Sequence, residues 1–172
     1  MDGWVPNLSW IQLDLAVGGS FPCGAAARLA ADHGIGAVVD LRAEVCDDEA
    51  ELKGCGLRFL HLPTPDTTGV TQAMLDEGVL FAEQAAGDGL KSLIHCEHGI
   101  GRSATLALCL LVNRGVQPLD ALTLAKDARA LISPSLSQYE AWAVWLARRT
   151  QAKPPSYHEF GMIAYRHLAQ RA

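Results

Sequence analysis

The stretch "SLIHCEHGIGRSATLALCLLVNRG", residues 92–115, decides the fold. "SLIHC" reads as a short buried strand, apolar at Leu93 and Ile94. The segment from Gly101 to Arg114 reads as a helix with almost no polar face, which predicts that it is covered on all sides. Between them lies "CEHGIGR", with five residues between Cys96 and Arg102. A strand that runs through a glycine-punctuated turn into a helix suits a parallel sheet, whose sites lie beyond the carboxyl ends of the strands. This strand delivers Cys96 to that edge.

Working outward, short apolar strands alternate with helical patterns. "IQLDLAVGG" (11–19) reads as one or two strands closed by Gly18-Gly19, and Ser20-Phe21-Pro22 as the start of a helix that runs from Ala25 to Ala31 and stops near Gly34. "IGAVVDLR" is a buried strand, "DDEAELKGCG" a short helix with an acidic start, and "LRFLHLP" a strand ending at Pro63. "TQAMLDEGVLFAEQAA" is an amphipathic helix with Met74, Leu75, Val79, Leu80 and Ala82 toward the core. Downstream, Pro118 to Leu131 reads as a helix, and Ser133-Pro134 opens another with Leu136, Tyr139, Trp142, Ala143 and Leu146 at helical spacing. Pro154-Pro155 interrupts the pattern, and Ser156 caps a last helix with Tyr157, Phe160, Ala164 and Leu168 along one face. The expected class is α/β: a mainly parallel central sheet of about four to five strands with helices on both faces. The expected organisation is one domain over 1–150 and a helical extension over 151–172, packed on that domain or on a partner.

Bulk properties exclude several classes. No apolar run has the length of a membrane span, and Met1-Asp2-Gly3 opens without a signal-peptide pattern, so a cytoplasmic location without a membrane anchor is expected. Five cysteines at irregular spacing, with no Cys-x-x-Cys pair, suit reduced thiols rather than a disulfide framework or a zinc site. A formal charge of −5 gives no footprint for nucleic acid.

The turn itself carries chemistry. Gly99 and Gly101 permit a closed loop whose amides point inward, so Glu97, His98, Gly99, Ile100, Gly101 and Arg102 together form a phosphate-binding loop at a helix N-terminus. Arg102 adds a planar fork for two oxygens. The same positive surroundings lower the pKa of Cys96 and make it a nucleophile at neutral pH.

"HCEHGIGRS" resembles the signature of the cysteine-dependent protein tyrosine phosphatase superfamily. The likeness extends to "LAVGGSFP", "VVDLR", "LHLPTPD" and "ARALISPSLSQ", in the order of the compact, atypical dual-specificity phosphatases. It implies Cys96 as nucleophile, Arg102 as phosphate clamp, Ser103 as the hydroxyl that stabilises the thiolate leaving group, His95 as a loop-orienting residue and Asp66 in "LPTPDTTG" as general acid. It also implies a phosphomonoesterase without metal or organic cofactor, acting on phosphotyrosine and on phosphoserine or phosphothreonine in proteins. The same chemistry on a phosphoinositide, an RNA 5'-phosphate or a sugar phosphate is the first alternative. A phospho-binding module without turnover and a sulfurtransferase are the others. Ser135 departs from the asparagine many relatives carry after the proline, and Glu97 is unusual beside a phosphate.

Each residue also has a plainer role open to it. Cys96 alone would suit a buried structural thiol, and Asp66 a turn former after Pro65, with Asp76 the weaker acid candidate. His98 is either solvated or part of the substrate rim. Arg42 reads as a structural ion-pairing residue. Cys46 and Cys109 read as inert, or as redox partners of Cys96 if their Cα atoms lie within about 7 Å.

Overall fold

Strand β5 (Lys91–His95) takes the middle of a five-stranded sheet because both of its faces are apolar. In the computed structural model, which describes residues 4–169, the strand order is β1-β2-β5-β3-β4. The opening Met1-Asp2-Gly3 and the final 170–172 of the expected extension lie outside the described residues. Strands β2 (Leu15–Gly18), β3 (Ile35–Arg42) and β4 (Arg58–Thr64) run parallel to β5 or to one another. Strand β1 (Leu8–Gln12) is antiparallel to β2. Residues 11–19 therefore hold parts of two strands, split at Leu13-Asp14, where Arg114 grips both oxygens of Asp14 at 2.9 Å.

Alternation along the strands sorts side chains to two cores. Val38 and Leu93 face one side with Leu29 and Leu52, under helices α1 (Ala26–His33) and α2 (Glu49–Gly54). Val39 and Ile94 face the larger core beneath α3 (Gln72–Gly87), α4 (Arg102–Asn113), α5 (Pro118–Ala128), α6 (Leu136–Arg149) and α7 (Tyr157–Ala164). A short α8 (Arg166–Ala169) follows. Helix α4 is buried from Arg102 to Val112, as its lack of a polar face requires. Gly78 of α3 permits this: a Cβ there would lie 2.6 Å from Leu106. None of the helices in the described residues is long and apolar enough to cross a membrane.

Several local expectations fail for tertiary reasons. Helix α1 does not start at Ser20-Phe21-Pro22; it begins at Ala26, whose amide donates to the Glu51 carboxylate at 3.1 Å, as does that of Gly24 in the preceding turn at 2.8 Å. Ser20 instead donates to Glu97 at 3.2 Å. Strand β4 passes through Pro63 to Thr64, which an edge strand tolerates because its outer amides need no partner. Helix α5 stops at Ala128 rather than Leu131, because Arg129 turns to an extended conformation and sends its side chain to the turn after β5, where it donates to Gly99 O. Leu80, expected toward the core, is 58% exposed and does not belong to it.

The tail beyond Pro155 contributes to the larger core. Phe160 is fully buried on α7, with its ring centroid 5.0 Å from that of Tyr139 and 5.9 Å from that of Trp142. Phe160→Ala should lower stability by about 3–5 kcal/mol. A denaturant melt giving less than about 1 kcal/mol would show that this helix is dispensable to the core.

Candidate active site

Cys96 follows β5 at the carboxyl edge of the sheet and is 3% exposed. The loop after it is held inside out. Four successive carbonyls turn away from the centre: Ser20 N donates to Glu97 O at 3.0 Å, and Ser133 N to Ile100 O at 3.0 Å. Between them, Arg129 donates to His98 O and Gly99 O, both at 2.8 Å. With the carbonyls directed outward, the amides face inward, and Gly99 N donates to Cys96 Sγ at 3.3 Å. Gly99 has φ +68°, and a Cβ on it would lie 2.5 Å from the Gly18 carbonyl, so only glycine fits. A Cβ on Gly101 would strike the Gln138 amide.

The Cys96 thiol also meets the Ser103 hydroxyl at 3.4 Å. Burial pushes its pKa up, but hydrogen bonds from the Ser103 hydroxyl and the Ser103 and Gly99 amides, with the Arg102 charge, outweigh this and lower it. Cys46 and Cys109 move the other way: burial raises both, aided by Asp40 and Asp47 at Cys46 and by Asp76 at Cys109. Inactivation by iodoacetamide should therefore rise with pH through a midpoint below that of an ordinary thiol and then level off. Ser103→Ala should move that midpoint upward, since a bond favouring the thiolate is lost. An unmoved midpoint would remove Ser103 from the account.

Arg102 is 1% exposed and opens α4 beside Cys96. Its two terminal nitrogens donate to the Glu44 carboxylate at 2.8 Å each, and Nη1 also to Thr64 O at 2.9 Å. These bonds from Arg102 hold the Glu44 pKa down at about 2. Arg102 Nε, by contrast, is buried with no partner among the described residues. Asp66 stands opposite, with Oδ1 3.2 Å from Arg102 Nη2 and a side chain 67% exposed. Cys96, Arg102 and Asp66 line one pocket of about 170 Å³, with Thr67, His98, Ile100, Ser135 and Gln138 around its wall. Asp76 is elsewhere, bound to Trp145 and Arg148 on α6.

Behind the loop, His95 is fully buried, with Nε2 2.7 Å from Asp47 Oδ2. Asp47 also pairs with Arg42, whose guanidinium spans Asp40, Asp47 and the Glu97 carboxylate. Glu97 thus points its charge away from the pocket and adds only backbone to the loop. Ligand atoms of Asp40, Cys46 and His61 lie within 4.8 Å of one another, yet both Asp40 oxygens already accept bonds from Arg42. That carboxylate is spent.

Glu44, Asp47, Arg129 and Gln138 were missed by the sequence reading. Glu44 was findable as an acid just past a strand on the edge that carries Cys96. Arg129 was hidden inside an expected helix.

A model of the family described as "PTP-SAK: Swiss Army Knife protein, DSP-PTPase phosphatase domain" matches residues 5–159. The chain is 33% identical over 120 residues to the "Phosphatidylglycerophosphatase and protein-tyrosine phosphatase 1" of Rattus norvegicus, covering 66% of this chain and 62% of that protein. It is 35% identical over 107 residues to "Dual specificity protein phosphatase 2" of Homo sapiens, covering 60% of this chain and 32% of that one. The chain thus spans less than two thirds of the length of these curated relatives. Among solved structures it resembles Tk-PTP in the active form (TM-score 0.76, 27% identity, 83% of this chain and 98% of that one). It also resembles PTPMT1 in complex with PI(5)P (TM-score 0.77, 26% identity, 83% and 96%).

Proposed function

The chain belongs to the Swiss Army Knife DSP-PTPase family of the cysteine-dependent protein tyrosine phosphatase superfamily, and from this premise we propose that it hydrolyses phosphate monoesters through a cysteinyl-phosphate at Cys96. The observation that carries this reading is the inside-out loop, whose four carbonyls are all held from outside while Gly99 N donates inward to Cys96 Sγ at 3.3 Å. The buried, unpartnered Nε of Arg102 supports it as a donor awaiting an anion.

In the proposed reaction a phosphoryl group enters the pocket, with the amides of residues 97–102 and Arg102 Nε donating to its oxygens. The Cys96 thiolate attacks phosphorus, forming an S–P bond as the P–O bond to the leaving group breaks. Asp66, protonated at this stage, gives its proton to the departing oxygen. In the second step the Asp66 carboxylate takes a proton from water, whose oxygen attacks phosphorus and expels the thiolate. Ser103 steadies the returning sulfur, and His95 holds the loop through Asp47. None of these steps calls for a metal ion or organic cofactor.

The substrate we favour is a phosphorylated protein, carrying phosphotyrosine, phosphoserine or phosphothreonine, met in the cytoplasm. A lipid or other small phosphomonoester is the second reading, favoured by the PI(5)P seen with PTPMT1. Under either reading the pocket suits one phosphate. Arg42 and Arg129 are committed to carboxylates and loop carbonyls, so neither is free to meet a second. The test is phosphate release by the purified protein from phosphotyrosyl and phosphoseryl peptides, phosphatidylinositol monophosphates, a sugar phosphate and an RNA 5'-phosphate, with thiosulfate as a sulfur-transfer control. Release from a monoester with a phosphocysteine trapped on rapid alkaline quench is expected. No release from any monoester, or sulfur transfer alone, overturns the reading.

A further inference from the structure

Three segments meet around the Cys96 pocket, and one of them, residues 133–137, which enters α6 and forms its first two positions, touches both others. Ser133 N donates to Ile100 O in the phosphate loop at 3.0 Å. On its other side, Ser135 Oγ donates to Thr67 O at 2.7 Å, and Ser137 Oγ accepts from Gly69 N at 2.9 Å. The two backbones are in contact there: a Cβ on Gly69 would lie 2.7 Å from Ser137 O. Thr67, one residue past Asp66, has φ +61° and is the only non-glycine residue at positive φ among the described residues. For a β-branched side chain that conformation is strained, and it persists only where surrounding contacts over-determine it. The contacts made by Ser135 and Ser137 are of that kind.

We propose that Ser135 is a positioning residue for proton transfer: its hydroxyl locks Thr67 in the left-handed conformation and thereby holds Asp66 over the Cys96 pocket. The inference rests on the reading of Asp66 as the acid. One hydroxyl has two tasks. Its oxygen accepts from Gln138 N at 3.3 Å and caps α6, while its hydrogen is given to Thr67 O, which can only accept. The lock thus needs a donor at position 135, whereas the cap needs only an acceptor or a glycine.

Four variants separate these roles. Rates are measured on phosphate monoesters from activated phenols to alkyl alcohols, with pH profiles for each enzyme. Ser135→Gly, which leaves a tolerable cap, should lose about 3- to 10-fold more on alkyl than on activated aryl phosphates, the worth of one hydrogen bond on the population of the poised loop. Ser135→Thr should restore the wild-type ratio. Thr67→Gly added to Ser135→Gly should recover part of the loss, since glycine adopts φ +61° without strain. A residue that merely caps the helix would lower every rate alike, so a uniform loss, or none, overturns the proposal. Asp66→Asn is the control and should steepen the leaving-group dependence by itself. If it does and Ser135→Gly does not, only the lock is refuted. If Asp66→Asn leaves the slope unchanged, the acid reading fails and this proposal with it.

Discussion

Cys96→Ser should abolish turnover, by roughly 10⁴-fold or more, while the protein still binds vanadate or inorganic phosphate. A serine hydroxyl ionises far above neutrality. The donors that favour a thiolate at Cys96, among them Ser103 at 3.4 Å and the Gly99 amide at 3.3 Å, cannot bridge that gap. Binding should survive because the proposed anion site uses the loop backbone and Arg102, not the sulfur. The loop carbonyls remain held by Ser20, Arg129 and Ser133, none of which depends on the sulfur. Titration calorimetry with vanadate and a phosphate-release assay test the two halves separately. Undiminished hydrolysis would sink the nucleophile assignment, and loss of vanadate binding would show that the sulfur itself organises the loop.

Arg102→Lys should cost roughly 10³- to 10⁵-fold in kcat/KM, the scale of an arginine that stabilises a phosphoryl transition state. Charge is preserved, so the loss tests geometry. The native guanidinium engages Glu44 through both terminal nitrogens and Thr64 O through one, and this fixes its plane with Nε left over for a substrate oxygen. An ammonium group can satisfy Glu44 or the phosphate but not both in a fixed plane. Glu44 would then hold the lysine away from the pocket. Near-wild-type kinetics for Arg102→Lys would contradict the clamp role, and restoration of the lysine variant's rate by Glu44→Gln would show that competition for the cation is the cause.

The sequence by itself determined whatever depends on neighbours along the chain. Apolar Leu93 and Ile94 before Cys96, and an α4 with no polar face, were enough to place a buried strand, a turn and a covered helix. Gly99 and Gly101 marked the turn as one in which backbone must approach backbone. Cys96, Arg102 and Ser103 lie within eight residues, so a single local motif carries their arrangement. Asp66 was legible only through the order of segments.

Tertiary structure alone decided everything that closes the loop from outside. Glu44 reaches Arg102 across 58 residues, Arg129 reaches Gly99 across 30, and Ser135 reaches Thr67 across 68. No periodicity or propensity marks such partners, because the bonds exist only once β3, β4, β5 and α6 have brought their ends to one edge of the sheet. The same reason accounts for the local errors. Arg129 leaves the expected helix because two buried loop carbonyls need its donors, and Ser20 caps no helix because its hydroxyl is drawn to Glu97. Local preference is worth a fraction of a kcal/mol per residue, whereas a buried polar group left unpaired costs about 1–3 kcal/mol, so where the two conflict the long-range partner prevails.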